Sequence, residues 1–239
     1  LGTSTQGRTA LLCDGEQSRL IHTPSLTMED VEVSNIFNIE LSESSLVGTM
    51  TIKAKGGDFE SLAYVAKFYN STDQQGYFKS VFGSWNAQFA NPKITIPDRN
   101  VNFGMLSAEV NFQQSVRKVG NKIILINLPT QAREITSDDF KGRSRPIRIS
   151  EPINDVDSIY IDLTGIPEGY TFQPIEQKSI SFEHGTYHFS QSYSDSKILI
   201  IRSLEINPNE SNVLNQPNYY AFFESIENEE KKPLLFKKE

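Results

Sequence analysis

The sequence has very little cysteine. Cys13 is the one cysteine among 239 residues, so an internal disulfide is excluded. A lone thiol fits a reducing compartment, and it fits equally well an exported protein that avoids cysteine. Cysteine usage therefore does not decide where the protein resides.

Long hydrophobic runs are also missing. No apolar run approaches the roughly 18–20 residues that a membrane-spanning helix needs, and no basic-then-apolar export signal opens the chain. Leu1 stands where an initiator methionine would be. We therefore expect a fragment or a processed form whose targeting signal lies upstream, with no insertion into a membrane.

Basic residues are in the minority. The 23 Lys and Arg residues against 30 Asp and Glu residues give a formal net charge of -7. Nucleic acids and anionic membrane surfaces both require clustered Lys and Arg that displace counterions. The densest basic group interrupts a connection that contains Gly, Ser and Pro, and we predict a solvated loop there, carrying Lys141, Arg143, Arg145 and Arg148. Nucleic acid is therefore not an expected partner.

Alternation of apolar and polar residues dominates what is present. Such a period of two is typical of half-buried strands. Two alternating runs flank the polar residues 42–45 and predict an antiparallel hairpin, with one face formed by Val31, Val33, Phe37, Ile39 and Leu41 and the other by Leu46, Gly48, Met50, Ile52 and Ala54. Further strands are predicted at 94–96, 106–112, 123–128, 158–163, 179–182, 187–189, 197–204 and 234–236.

The spacing of these strands predicts the fold class. Short strands separated by turn signals favour a mainly β protein with a few helices, built as an antiparallel, Ig-like or related β-sandwich. Two packed sandwich-like halves are an open alternative. The segment 136–152 has the weakest periodicity and is either a domain boundary or one long loop. We predict a leading segment out of an upstream domain at 1–25, a β-rich half with two helices at 26–140, and a sandwich half with a C-terminal helix and closing strand at 141–239.

Three helices are predicted from start signals. Asp58 caps the first, Ser71 or Thr72 opens the second with a capping-box pattern, and Pro217 stands near the start of the third. Residues 227–232 are predicted to be the solvated end of the third helix. The predicted buried faces are Phe59, Leu62, Ala63, Ala66 and Tyr69 on the first helix, Tyr77, Phe78, Val81, Phe82 and Trp85 on the second, and Tyr219, Phe222, Phe223 and Ile226 on the third.

Two pairs of residues are candidates for catalysis or metal binding. A cysteine nucleophile needs a histidine that keeps it ionised, and His22 is the histidine nearest to Cys13 in the sequence. The acidic flanks of Cys13 disfavour a thiolate, so we expect a small residue packed on a strand. His184 and His188 stand four residues apart, but they flank a turn that enters a strand, and no third ligand stands nearby. Neither pair is predicted to be a site.

A calcium loop is the nearest match to a known metal motif. Asp98, Asn100 and Asn102 alternate, and Glu109 stands where an EF-hand loop places its bidentate carboxylate. The residue at the sharp turn is Phe103, however, and the flanks are predicted to be strands. We therefore predict a polar turn at this place, and turn chemistry likewise explains the polar residues at 154–157.

No other motif in the sequence indicates a catalytic or binding activity. The chain has no Gly-rich phosphate loop and no nucleophile elbow. Trp85, Tyr69 and Tyr77 could stack on a sugar or peptide, but their helical spacing predicts core positions. The sequence therefore predicts no catalytic residue, no cofactor site and no metal site.

Several short motifs together resemble a known family. They extend over nearly the whole chain, through residues 7–12, 19–21 and Pro24, then Gly48 and Gly56-Gly57, and then residues 167–170, 185–187, Arg202, 219–223 and 234–238. With these motifs the chain is similar to the β-sandwich domain of unknown function that follows the transglutaminase-like core in exported proteins of Bacteroidetes.

The resemblance implies an accessory role. In that family the catalytic Cys, His and Asp belong to the core domain, so none of them is expected in this chain, and an exported location is implied. We expect an accessory domain that packs on an upstream transglutaminase- or protease-like core of the same polypeptide, with an apolar patch near residues 1–24. The alternatives are a glycan- or peptide-binding module with exposed aromatics in a groove, and an enzyme with converging carboxylates.

Overall fold

The fold was determined as a computed structural model, which describes residues 5–42, 44–83, 85–97, 102–129, 135–142, 144–211 and 216–238. Its helices are α1 Gly56–Phe68, α2 Ser71–Val81 and α3 Gln216–Glu230. Its strands are β1 Thr9–Leu12, β2 Arg19–His22, β3 Glu32–Ser42, β4 Ser45–Ala54, β5 Ala87–Thr95, β6 Gly104–Phe112, β7 Val116–Val119, β8 Lys122–Leu125, β9 Ile147–Ile149, β10 Ile153–Asp162, β11 Tyr170–Gln173, β12 Lys178–Phe182, β13 Gly185–Ser194, β14 Lys197–Ile206, β15 Asn209–Ser211 and β16 Leu234–Lys238.

An eight-stranded sheet is the centre of the molecule. Its strand order is β12-β13-β14-β10-β3-β4-β6-β5, and a four-stranded sheet with the order β11-β16-β8-β7 accompanies it. Two short ribbons, β1-β2 and β15-β9, lie apart from these sheets. Buried side chains of both large sheets and of all the described helices belong to one hydrophobic core. The predicted class, a mainly antiparallel β protein with a few helices, is confirmed.

One pairing in the large sheet was not predicted. β3 and β10 run parallel over residues 32–40 and 154–162, whereas the other described neighbours in this sheet are antiparallel. This pair joins strands from before and after residue 140 into one continuous sheet. The domain limits predicted from the sequence therefore cut across a hydrogen-bonded sheet. The division of the chain into domains stays a prediction.

The strands follow the predicted alternation closely at the first hairpin. β3 ends at Ser42 and β4 begins at Ser45, as the polar turn indicated. Gly48 is required there because a Cβ atom would lie 2.0 Å from the carbonyl oxygen of Asn38 on the facing strand. The polar residues 154–157, predicted as a turn, instead lie inside β10. That prediction was wrong because the residues have partners on both sides, in β3 and β14.

The helices begin close to the predicted places, but their caps differ. α1 begins at Gly56 and not after Asp58, and Lys55 in its N-cap position provides no side-chain cap. The cap of α2 is Asn70, whose side chain accepts hydrogen bonds from the backbone N–H groups of Thr72 and Asp73 at 2.9 and 3.0 Å. An Asn in this position satisfies N–H groups that the first turn of a helix leaves without partners.

The buried helix faces were predicted in part. The predicted residues of α3 are all buried, but Glu229 and Glu230 are buried with them, although a solvated end was predicted. α1 buries Leu62 and Val65, and α2 ends at Val81, which is exposed. Trp85 therefore lies beyond the helix, where its ring contacts those of Phe37, Phe82, Phe89 and Phe112.

Candidate functional site

A cleft of about 630 Å³ opens between the inner face of the eight-stranded sheet, the helices α1 and α2, and the segment that leads into β10. Clefts of several hundred Å³ with an apolar lining and a few polar groups are where proteins hold small ligands. The alternation of β3, β4 and β6 turns Asn35, Ile52 and Leu106 toward this cleft. Leu62 of α1 faces them from the other side.

A tight turn positions α1 above the sheet. β4 ends at Ala54 and α1 begins two residues later. Gly56 has a φ of 60°, and a Cβ atom there would lie 3.1 Å from the carbonyl oxygen of Asp30. This left-handed backbone favours glycine. The turn places the first residues of α1, among them Asp58 and Ser61, at the rim of the cleft.

The floor of the cleft consists of two cross-strand rows of the sheet. In the first row, Asn35 pairs with Ile52, which pairs with Leu106. In the second row, Asp155 pairs with Val33, which pairs with Ala54. The first row changes from the polar Asn35 in β3 to apolar residues in β4 and β6, and the second changes from the polar Asp155 in β10 to apolar residues in β3 and β4. The floor therefore has a polar end and an apolar end.

A buried network of charged and polar groups lies behind the polar end. The Nδ2 group of Asn35 donates a hydrogen bond to Oδ1 of Asp157 at 2.8 Å. On the other side of Asp157, Nη1 of Arg202 lies 3.8 Å from its Oδ2 and donates to the carbonyl oxygen of Pro129 at 2.6 Å. Asp157 and Arg202 are each 1 % exposed. The bond to Asp157 uses one of the two N–H groups of the Asn35 amide, and Asn35 lines the cleft beside this network.

Carboxylates outnumber cations around the cleft. The lining carries Asp58, Glu60, Glu151 and Asp155 against Lys55 and Arg148. The Nζ group of Lys55 already lies 3.4 Å from Glu32 and donates to the carbonyl oxygen of Glu29 at 3.0 Å. By formal charge the lining is therefore net negative.

Cys13 and His22, the pair that was considered for catalysis but not predicted to be a site, lie apart. His22 pairs with Thr9 at the base of the β1–β2 ribbon, whereas Cys13 follows β1 at its tip. Four residues of extended strand separate the two levels by roughly 13 Å. Cys13 is exposed in a loop, so the expectation that it packs on a strand was wrong.

The histidine pair is also separated. His184 lies in the turn before β13, and its ring stacks on that of Tyr219 with 6.0 Å between centroids. His188 lies on the outer face of β13, where its Nδ1 is 2.9 Å from the Oγ of Ser179. Burial, followed by the nearby charge of Glu183, raises the pKa of Tyr219. The described residues contain no group of three or more His, Cys, Asp and Glu side chains that could hold a metal ion.

The structure describes only part of the calcium-like sequence between Asp98 and Glu109. Asp98 and Asn100 lie outside the described residues. Glu109 lies within β6, and its carboxylate accepts a hydrogen bond from Nδ2 of Asn91 at 3.0 Å. In the part that is described, this carboxylate thus has a partner in the neighbouring strand.

The three aromatic residues singled out from the sequence have different environments. Trp85 is buried and Tyr77 is half-buried against the core, as predicted, whereas Tyr69 is exposed. Tyr69 belongs to an exposed cluster with Tyr64 and Phe68, in which the Tyr64 ring centroid lies 4.8 Å from that of Phe68 and 5.9 Å from that of Tyr69. Sequence reasoning missed Tyr64 and Phe68, although their spacing of four residues places them on one face of a helix.

The basic group is spread over an irregular connection and the ribbon that follows it. Lys141 and Arg145 are exposed, Arg148 lies in β9 at the rim of the cleft, and Arg143 is outside the described residues. Within the described part of the chain, no helix is both long and apolar enough to cross a bilayer.

The chain matches a family over its second half. Residues 121–236 match the family model described as a domain of unknown function with a solved structure, DUF3858. The matched segment begins just before β8 and ends within β16, so it contains β10 but not its parallel partner β3. The expected similarity to a domain of unknown function is confirmed over this range. No curated protein and no solved structure gives a match to the chain.

Proposed function

We propose that this chain is a non-catalytic accessory domain of a larger exported protein, and that it packs against a transglutaminase- or protease-like domain of the same polypeptide. The observation that carries the proposal is the ribbon formed by β1 and β2. The similarity to a domain of unknown function, for which no activity is described, is compatible with this role.

The ribbon exposes apolar side chains on one face. Leu11 and Leu20 are directly opposite each other, and they are 61 % and 71 % exposed. Leu12 is also exposed, on the opposite face of the ribbon. Clustered exposed apolar side chains mark surfaces that contact another protein. The accessory role predicts an apolar patch in this part of the chain, near residues 1–24.

Side-chain hydrogen bonds between the segments 5–8 and 23–26 close the base of the ribbon. Thr23 is buried, its Oγ1 accepts a hydrogen bond from the backbone N–H of Arg8 at 2.9 Å, and the Gln6 side chain accepts one from the N–H of Leu26 at 2.8 Å. Along the two strands themselves, 9–12 and 19–22, no residue is fully buried. Because an isolated two-stranded ribbon is marginally stable in water, we expect a partner domain to complete it.

Hydrogen exchange tests this contact. Amides of residues 9–22 are compared in this chain alone and in the polypeptide extended upstream of Leu1. We expect rapid exchange in the chain alone and exchange at least tenfold slower in the extended polypeptide. The double substitution Leu11→Ser/Leu20→Ser should restore rapid exchange. Val119→Ser serves as the control, because Val119 is similarly exposed but lies beside the β7–β8 turn. Equal exchange in both forms would reject the accessory role.

A glycan-binding module is the second candidate function, and the exposed aromatic cluster Tyr64, Phe68 and Tyr69 favours it. Tyr64 and Phe68 are 56 % and 61 % exposed, and the Nζ group of Lys67 lies 5.0 Å from the Phe68 ring centroid. Exposed aromatic faces can stack against the apolar faces of sugar rings.

Calorimetric titration with xylo-, cello- and chito-oligosaccharides tests the second function. We expect a saturable heat with one of the three, which Tyr64→Ala/Phe68→Ala abolishes. Val81→Ala on α2 is the matched control, because it also shortens an exposed apolar side chain. If none of the oligosaccharides binds, the glycan-binding function is rejected.

A further inference from the structure

The eight-stranded sheet has two outer edges, and they are built differently. β5 forms one edge and β12 forms the other. A sheet edge presents unpaired N–H and C=O groups, which proteins commonly protect with bulges, proline or charged side chains. We propose that the edge of β12 pairs with the same edge of a second copy of the chain, so that two chains form a symmetric dimer.

The β5 edge is protected against pairing. Its register with β6 is interrupted between Ala90 and Lys93. Within the interruption, Asn91 has a left-handed φ of 50°. Pro92 follows it and has no backbone N–H group to donate. The irregular backbone, the proline and the exposed charge of Lys93 all keep another strand from pairing with this edge.

The β12 edge is regular and open. β12 pairs with β13 without interruption from Lys178 to Phe182, and it contains no proline. Among the described strands, β13 is its one neighbour. Ser179 and Ser181 are exposed and have small side chains, so another backbone can approach closely. The one charged residue of the strand, Lys178, stands at its end.

The hairpin of β12 and β13 determines which backbone groups face the open edge. The turn between the two strands has two residues, so Phe182 and Gly185 form a hydrogen-bonded pair. Hydrogen-bonded and non-hydrogen-bonded pairs alternate along an antiparallel ladder. The N–H and C=O groups of Ser179 and Ser181 therefore point away from β13 and towards the open edge.

The strand is complementary to itself about Ile180. When two copies of β12 run antiparallel with Ile180 at the twofold axis, Ser179 of each copy lies opposite Ser181 of the other. The outward N–H groups of each strand then meet outward C=O groups of its partner. The two Ile180 side chains face each other in a non-hydrogen-bonded pair, whose Cα atoms are only about 4.5 Å apart. Such a contact uses the same surface of both copies and therefore ends at a dimer.

The side chains beside the axis fit this register as well. Lys178 of one copy lies opposite Phe182 of the other. Lys178 is exposed, and Phe182 is half-buried at a groove of about 390 Å³ between β12 and α3. An ammonium group close to an aromatic ring is favourable. Ala221 and Ser225 of α3 are exposed at this groove, and their small side chains leave room for the lysine.

Sedimentation velocity of the full chain tests the dimer. Because only five residues of each strand pair, we expect a weak dimer with a Kd on the order of 10–100 µM. The mass should rise from that of one chain towards that of two between about 2 and 500 µM protein. Over this range, hydrogen exchange of the Ser179 and Ser181 amides should slow at least threefold. A chain that stays monomeric throughout would overturn the proposal.

Charged substitutions locate the contact. Ser179→Lys/Ser181→Lys places like charges opposite each other and should keep the protein monomeric, as should Ser179→Glu/Ser181→Glu. A mixture of the two variants should form the dimer again, because lysines then lie opposite glutamates. Gln88→Lys/Ala90→Lys is the matched control at the exposed β5 edge and should leave the dimer unchanged. Undiminished association of a folded Ser179→Lys/Ser181→Lys protein would contradict the assignment.

Two other contacts of the chain give different results. Association through the β1–β2 ribbon disappears in Leu11→Ser/Leu20→Ser, whereas the β12 dimer persists in this variant. Loss of association there would overturn the dimer and leave the accessory role intact. The polypeptide extended upstream of Leu1 provides the second comparison. If it is monomeric and its Ser179 and Ser181 amides are protected, the edge pairs with a strand of the same polypeptide, and the dimer is rejected.

Discussion

Asp157 and Arg202 lie directly opposite each other on β10 and β14, with both side chains in the core and 3.8 Å between Oδ2 and Nη1. Asn35 completes the arrangement from β3. A buried charge is tolerated when it is paired and hydrogen-bonded, and losing one partner leaves the other uncompensated. The two residues therefore depend on each other.

Arg202→Met should strongly destabilise the protein, because it leaves the carboxylate of Asp157 buried without its cation. We expect a loss of about 3–5 kcal/mol in the free energy of unfolding, measured by urea denaturation. The triple variant Asn35→Leu/Asp157→Leu/Arg202→Met should be less destabilised than Arg202→Met alone. A larger loss in the triple variant would show that the charges contribute net stability.

Gly48→Ala and Gly76→Ala should have opposite effects. A Cβ atom at Gly48 would lie within 3 Å of backbone atoms of Asn38 and Ile39, whereas nothing lies within 4 Å of one at Gly76 in α2. We expect Gly48→Ala to cost about 1–3 kcal/mol or more and Gly76→Ala to gain roughly 0.5–1 kcal/mol. Thermal unfolding of both variants measures the difference. A stabilised Gly48→Ala would show that β3 and β4 can separate at this point.

Leu11→Ser/Leu20→Ser should leave the stability of the isolated chain almost unchanged. Both side chains are exposed, so their truncation removes little buried area, and we expect a change within about 0.5 kcal/mol. Leu46→Ala is the contrasting variant, because Leu46 is fully buried, and it should cost about 2–5 kcal/mol. A large loss in the double variant would mean that the ribbon packs on this chain itself.

Asp162 should titrate below its ordinary range. The backbone N–H of Thr164 donates a hydrogen bond to its Oδ1 at 2.9 Å, which lowers the pKa of Asp162. Because the folded-state pKa is depressed, the stabilisation is present above the unfolded value of about 3.9 and is lost as the pH falls through the lower folded value. The amide shift of Thr164 reports this titration. A midpoint at or above the unfolded value would contradict it.

The segment 121–236 should not fold independently. Although it is the part that matches a family, it lacks β3, the parallel neighbour of β10, and β7, the neighbour of β8. We expect the excised segment to show poor chemical-shift dispersion and to aggregate, because it would expose strand edges that are paired in the full chain. A well-dispersed spectrum would show that this half contains a complete domain.

The sequence was sufficient for local structure and insufficient for contacts between distant segments. The hairpin of β3 and β4 and the buried face of α3 follow from periodicity, which depends on neighbouring residues. The position of Asp157 inside a strand does not follow from periodicity. Its buried charge is stabilised by Asn35 and Arg202, which are far away in the sequence. For the same reason the cleft could not be predicted. Its two floor rows are brought together by the register of four strands.

The parallel pairing of β3 and β10 also has a consequence for synthesis of the protein on the ribosome. β3 can form its hairpin with β4 soon after both emerge, but its other edge has no partner until Ile153–Asp162 has been translated. During this interval an open strand edge beside apolar residues is available to other chains. We therefore expect the nascent protein to depend on chaperones until β10 emerges, and cell-free synthesis without chaperones to yield more insoluble product.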